Sequence, residues 1–289
     1  FKNNIYLATI SRVEPSLQAA FVNFGRERHG FLAFNDIQSD YYQLPSEDKE
    51  KIRIAEEKIR EELKDKIIES NQDTSQSDNQ LDNLDNKDEK NDNAENQLEK
   101  GNNKQEYREK VKSSFGIKRY KIQEVIKPGQ VILIQVIKEE RGQKGAALTT
   151  FISLAGKYMV LMPNTAKGGG ISRKIFNSSD RQKIRNILNE IEIPKSMGVI
   201  VRTAGANKTK NEIEKDFQNT LKTWEEIKEK ALDSNAPSLV YEEGDIIKRT
   251  LRDTYDNDTK NVYVEGNEAY QKAKKFMKEL MPKNVKNIK

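Results

Sequence analysis

Apolar residues fall in short runs toward both ends of the chain and thin out between them. Near the start, Ile5-Tyr6-Leu7-Ala8-Thr9-Ile10 reads as a strand, Ala19 to Phe24 as a second ended by Gly25, and Gly30 to Phe34 as a short third. Beyond a long polar excursion, Gln130 to Ile137 reads as a strong fourth strand and Gly145 to Ile152 as a fifth. Five short strands, with an excursion between the third and fourth, predict a small closed barrel of the OB type. Successive side chains of a strand point to opposite faces, so Phe21 and Val22 cannot both be core.

From Lys157 onward the pattern turns to mixed α and β. Tyr158 to Met162 is a strand, Gly168-Gly169-Gly170 a flexible turn, and Gly198 to Thr203 another strand. Ser179-Asp180 can start a helix with Ile184, Ile187, Leu188 and Ile191 on one face, ended before Pro194. A longer helix runs from about Lys210, with Ile213, Phe217, Leu221, Trp224 and Ile227 at helical spacing, and Asn235-Ala236-Pro237 breaks it. Leu239 to Tyr241, Ile246 to Tyr255, Asn261 to Val264 and a helix from Glu268 to Met281 form a further α/β piece.

The polar excursion opens with a helix. Ser46 can cap it, Glu47 and Asp48 suit its positive end, and Ile52, Ala55, Ile59 and Leu63 recur at three to four residues. From Asn71 to Lys104 there follow nine acidic residues against four lysines, with no aromatic. So polar a window cannot bury enough surface to offset its ordering entropy and is expected to be disordered. The whole chain carries +5 and this window −5, which leaves +10 on the other 255 residues. The folded part is therefore basic, an electrostatic footprint for a polyanion.

Composition removes several classes of chemistry. Only 35% of residues are hydrophobic and 34% are charged, consistent with part of the chain lying outside any core. With no cysteine there is no disulfide scaffold, thiolate zinc site or cysteine nucleophile. The single histidine, His29, leaves no cluster of imidazole ligands, and no nucleophile pattern surrounds it. No stretch is apolar enough to span a bilayer and no signal segment opens the chain, so a soluble, cytoplasmic protein is expected. The first residue is not methionine and the last are a basic tail, which suggests a fragment of a longer protein.

Three constellations could carry chemistry. Phe21, Phe24 and Phe31 lie on neighbouring strands near Arg26, Arg28 and His29, and Lys144 sits in the tight turn between strands four and five. Exposed aromatics let bases stack and cations track phosphates, though two of the three phenylalanines could equally be core. Second, Lys167-Gly168-Gly169-Gly170-Ile171-Ser172-Arg173-Lys174 combines a glycine loop with donors, and Val201-Arg202-Thr203-Ala204-Gly205 ends a strand with a guanidinium and a hydroxyl. Glycine N–H groups can converge on an anion, and an arginine can fork onto a phosphate; neither run is a P-loop or dinucleotide fingerprint. Third, Asp253, Asp256 and Asp258 are close enough to suggest a metal cluster but read better as a solvated turn.

Three stretches resemble the ribonuclease E/G family. They are Val13 to Val22 (VEPSLQAAFV) with Glu27 to Leu32 (ERHGFL); Lys138 to Gly156 (KEERGQKGAALTTFISLAG); and Leu161 to Asn164 with Gly169 to Arg173, on to Val201 to Gly205. The resemblance covers nearly the whole chain outside the acidic insertion. It implies an α+β architecture. Residues 1–153 would be an OB-type, ribosomal S-one-like RNA-binding barrel, interrupted by a helical and disordered insertion over about 46–118. Residues 154–236 would be a 5′-monophosphate sensor, and 237–289 the C-terminal part of a ribonuclease-H-like subdomain.

By the same resemblance, Phe21, Phe31 and Lys144 contact RNA. Arg202 and Thr203 hold a 5′-monophosphate, and Arg173, Gly156 and Val160 line that pocket. The family's catalytic site, with two aspartates and an asparagine organising Mg²⁺, lies in a later subdomain, as does its structural zinc. No catalytic or metal residue is assigned here, and the fragment alone is expected to be inactive. The parent would be an endoribonuclease of RNA decay and of ribosomal and transfer RNA processing, cutting single-stranded A/U-rich RNA to leave 5′-monophosphate ends. It would be a homotetramer and degradosome scaffold, cytoplasmic or peripheral on the inner membrane face. Two alternatives stay open: a stand-alone OB-fold RNA-binding or translation factor, and the shorter G-type branch of the family, against which the long acidic insertion argues.

Overall fold

The computed structural model describes residues 1–54, 120–142, 144–165, 168–194, 196–243, 245–256 and 258–289. The acidic window 71–104, the distal helix positions Ala55, Ile59 and Leu63, and Lys167 of the glycine loop lie outside the described residues. The chain divides into two compact units, residues 1–38 with 127–289, and residues 39–126.

In the larger unit, five strands close into a barrel. They are β1 (Ile5–Glu14), β2 (Ala19–Asn23), β3 (Gly30–Ala33), β4 (Val131–Lys138) and β5 (Ala147–Thr149). The order is β1-β2-β3-β5-β4, and β4 returns to β1. All pairings are antiparallel except β3–β5, where Phe31 pairs in parallel with Ala147. This is the mixed, closed topology of an OB-type barrel. Its interior takes alternate residues, including Ala8, Ile10, Ala20, Val22, Leu32, Ile132, Ile134, Val136 and Leu148, all at most 1% exposed.

The strand β1 runs four residues beyond Ile10, where the apolar alternation stops. Residues 5–9 pair with β4 and residues 9–14 with β2, with a register shift between Ile10 and Arg12. Ser11 and Arg12 are exposed there; Ser11 is skipped in the register, and Arg12 pairs with Phe21 without feeding the core. A bulge that bends one strand from one neighbour to the next is how a short barrel turns a corner.

A second sheet follows. It contains β6 (Leu154–Ala155), β7 (Met159–Met162), β8 (Gly168–Ile171) and β9 (Gly198–Val201), in the order β6-β7-β9-β8. The strands β8 and β9 are parallel neighbours, so the chain must cross over between them, and α1 (Ser178–Glu190) makes that crossing. The glycine triplet expected as a turn is thus a strand, held by β9 and needing no side chains of its own. Asn177 caps α1, accepting from the Ser179 N–H at 3.0 Å.

The long helix α2 (Lys210–Leu232) opens with a capping box between Thr209 and Glu212. Its apolar stripe, Ile213, Phe217 and Ile227, packs with Leu154, Met159, Leu161 and Val199 of the sheet. The strand β10 (Ser238–Tyr241) then pairs antiparallel with the start of β1, on the barrel. The helices α3 (Ile246–Thr254) and α4 (Asn267–Leu280) share a core of Leu251, Tyr255, Ala273, Met277 and Ile288. The run at 261–264 is not a strand of a sheet; Val262 forms a single parallel bridge with Ile288. No helix among the described residues is long and apolar enough to cross a membrane.

The smaller unit is described by 39–54 and 120–126. Residues 46–54 are helical, but the cap expected at Ser46 falls one residue earlier: the Asp48 and Lys49 N–H groups donate to the Pro45 carbonyl, each at 3.1 Å, and Ser46 lies within the first turn. Tyr42, Ile52, Ile122, Val125 and Ile126 are its buried apolar residues among those described, and the Gln43 N–H donates to the Val125 carbonyl at 2.8 Å.

Candidate nucleic-acid interface

Ala20, Val22 and Leu32 turn into the barrel, so Phe21 and Phe31 must turn out. They are direct partners across β2 and β3, with ring centroids 6.1 Å apart at 77°, an edge-to-face pair. Arg12 pairs with Phe21 from β1, and its guanidinium carbon lies 4.4 Å from the ring centroid. A cation and two aromatics therefore form one row across three strands. Phe31, at its end, is 36% exposed. Only Phe24 of the three phenylalanines is core: it is 1% exposed and meets Tyr6 edge-on at 5.2 Å.

Lys144 is exposed in the turn that leads to β5. Its backbone and that of Arg141 exchange hydrogen bonds of 3.0 and 3.1 Å. The Arg28 guanidinium donates to the Gly142 carbonyl. Gly145 lies so close to His29 that a Cβ would stand 2.2 Å from its carbonyl oxygen. The turn is thereby pinned to the loop before β3, and the Phe31 N–H donates to the Ala146 carbonyl at 2.7 Å. Lys144 thus belongs to the segment that borders the aromatic row.

The second candidate group lies on the second sheet. Val160 pairs with Ile200, and both point away from the face that buries Met159, Leu161, Val199 and Val201. Arg202 follows two residues after Ile200, and its N–H donates to the Tyr158 carbonyl at 2.7 Å. Its Nη1 donates to the Gly156 carbonyl and to Asp253 Oδ1, each at 2.8 Å. Nε and Nη2 have no partner among the described residues. Thr203 is exposed and starts a 3₁₀ turn, Thr203–Gly205. The Ser172 N–H donates to the Val201 carbonyl at 2.8 Å, which brings exposed Arg173 alongside this strand end. Arg202, Thr203, Gly156 and the backbone before Arg173 therefore gather where the central strands β7 and β9 meet at one end of the sheet, with Val160 two pairs further in on the outward face. The glycine triplet supplies strand backbone rather than an anion cradle.

Gly156 is fixed by packing. A Cβ there would stand 2.5 Å from Asp216 Oδ2 and 2.9 Å from Thr220 Oγ1. Asp216, 6% exposed, accepts three consecutive backbone N–H groups, from Lys157, Tyr158 and Met159, at 3.0, 2.8 and 3.1 Å. Burial raises its carboxyl pKa, against the pull of those three donors. Lys157 is also buried, which lowers its pKa, with nearby Lys208 adding to the shift. Asp253 goes the other way: burial would raise its pKa, but hydrogen bonds from Arg252 and Arg202 outweigh that and hold it at about 2.

Of the aspartate trio, Asp253 is an arginine partner and Asp256 accepts from Thr259 Oγ1 at 2.6 Å. Among the described residues no group of three His, Cys, Asp or Glu side chains could hold a metal ion. The sequence reading missed Arg12, whose role depends on cross-strand register. It missed Asp216 too, whose three partners lie 57 to 59 residues away in the chain.

The fold and its two exposed groups define an α+β protein built on an OB-type barrel, with aromatics and guanidinium groups turned outward. A family model described as "Ribonuclease E/G family" matches residues 153–289. Ribonuclease E of Haemophilus influenzae is 33% identical over 288 residues, covering 100% of this chain and 23% of that protein. Ribonuclease E of Escherichia coli K12 is 34% identical over 276 residues, 96% of this chain and 20% of that protein. The chain belongs to the ribonuclease E/G family, and it spans between a fifth and a quarter of the length of these two relatives.

Proposed function

We propose that this chain is the RNA-binding and 5′-end-sensing part of a single-strand-specific endoribonuclease acting in RNA decay and in ribosomal and transfer RNA processing. The observation that carries the sensing role is Arg202. Its guanidinium is held by Nη1 alone, and the Nη2–Nε edge is the one that forks onto a phosphate. Thr203 adds an adjacent hydroxyl, and Arg173 a second cation beside the same strand end. A terminal monophosphate presents more charge and more acceptor oxygens there than a 5′-hydroxyl. On the barrel, bases stack on Phe31 and Phe21 while Arg12 and Lys144 meet phosphates.

The family implies Mg²⁺ for hydrolysis. The described donor set does not fit it, since no carboxylate cluster is present among the described residues, and no cleavage step is assigned to them.

The test is fluorescence anisotropy with a short A/U-rich RNA carrying a 5′-monophosphate or a 5′-hydroxyl, at two salt concentrations. Tighter binding of the monophosphate form is expected. Equal, salt-sensitive binding of both would reduce the proposal to the basic barrel. In the same assay, Phe31→Ala is expected to weaken both RNAs by about 1–3 kcal/mol, one stacked base. An undiminished affinity would leave Phe31 only its packing role against Phe21.

A further inference from the structure

The bonds at Arg202 continue inward as a chain of alternating charges. Asp253, which accepts from Arg202, is gripped on its other side by its neighbour. Arg252 Nε donates to Oδ1 and Nη2 to Oδ2, both at 3.0 Å. Arg252 Nη1 donates to Glu243 Oε1 and to the Ala155 carbonyl, the latter at 3.2 Å. Glu243 accepts from the Tyr241 hydroxyl at 2.9 Å, and its N–H donates to Asn4 Oδ1 at 3.0 Å. Side-chain exposure is 31% at Arg202 and 37% at Asp253, then falls to 11% at Arg252 and 6% at Glu243. The chain thus starts at strands of the barrel and ends at Arg202, and the adjacent carbonyls of Ala155 and Gly156 brace its two arginines.

A carboxylate beside a phosphate-binding arginine can do one of two things. It can compete for the guanidinium, or it can hold it. The hydrogen bonds separate the two. Nη1 has two N–H groups, and both are used, one on Gly156 and one on Asp253. A competitor would take the fork formed by Nη2 and Nε; Asp253 leaves that fork alone. Nor is Asp253 devoted to Arg202 alone, because its carboxylate is gripped on the other side by Arg252.

We infer that Asp253 is a positioning residue: it clamps one edge of the Arg202 guanidinium so that the opposite edge is presented, already oriented, to a terminal RNA phosphate. An arginine held in its bound geometry loses less side-chain freedom on binding than a mobile one. The inference rests on the 5′-sensing reading above and names the group that sets its strength.

The experiment compares the chain with its Asp253→Ala and Asp253→Asn variants in the monophosphate and hydroxyl titrations. The readout is the ratio of the two affinities, which general loss of structure would not move selectively. Asp253→Ala is expected to lower that ratio about tenfold, one charge-assisted hydrogen bond, with hydroxyl-RNA affinity unchanged. Asp253→Asn keeps the size and one acceptor oxygen and should lose less; it decides the matter alone if the alanine variant does not fold. An unchanged ratio overturns the inference, leaving Asp253 a structural ion pair. A raised ratio also overturns it, making Asp253 a competitor. A ratio of one in the unsubstituted chain removes the 5′-sensing reading and this inference together.

Discussion

Asp216→Ala is expected to cost about 3–5 kcal/mol of unfolding free energy, the largest stability effect of any single substitution considered for this chain. The carboxylate is nearly fully buried and is the acceptor for three consecutive N–H groups at 157–159. Each donor left unpaired costs about 1–3 kcal/mol, and partial rehydration keeps the total below the full sum. Typical domains hold only about 5–15 kcal/mol in all. Urea unfolding measures it; a loss below about 1 kcal/mol would mean that the turn finds other acceptors. Gly156→Ala tests the same contact from the opposite side, because its Cβ would collide with Asp216 Oδ2. Removing Asp216 removes the closer of the two collisions and leaves that with Thr220 Oγ1 at 2.9 Å, so the double variant should be less destabilised than the two single losses together. The turn at 155–159 also supplies the carbonyls that hold Arg252 and Arg202, so this stability is spent where the candidate site is built.

The barrel was legible in the sequence because period-two alternation and glycine-marked turns are local signals. Where local signals stop, the reading stopped. Arg12 to Glu14 extend β1 only because β2 lies alongside to pair with them, Ser11 being the residue skipped at the register shift. Gly168 to Gly170 carry no side-chain pattern, and become a strand because β9 provides a partner and α1 the crossover. Arg202 could be singled out by its type and place at a strand end. Asp253 could not: its partner is 51 residues away, and in sequence it resembles any acidic turn residue. The same limit applies to Arg12, which reaches Phe21 through register alone.

Arg202→Ala is expected to remove most of the discrimination between 5′-monophosphate and 5′-hydroxyl RNA. Two charge-assisted bonds to a phosphate, at about 1.5–3 kcal/mol each, amount to roughly 3 kcal/mol at the lower end, about a hundredfold or more in affinity. The hydroxyl form should lose little, since its binding rests on the barrel row of Arg12, Phe21 and Phe31. Stability should change little as well, because the Arg202–Asp253 pair is partly exposed and Arg252 still holds Asp253. Arg202→Lys separates charge from shape. It keeps the positive charge but not the planar fork, and should recover only part of the preference. The salt dependence gives an independent check: losing one phosphate contact should shallow the slope of log affinity against log salt by about one for the monophosphate RNA and leave it unaltered for the hydroxyl RNA. Retention of the full preference in Arg202→Ala would move the sensing group away from this strand end. Loss of affinity for both RNAs in equal measure would make Arg202 part of a general phosphate track and not a reader of the 5′ end.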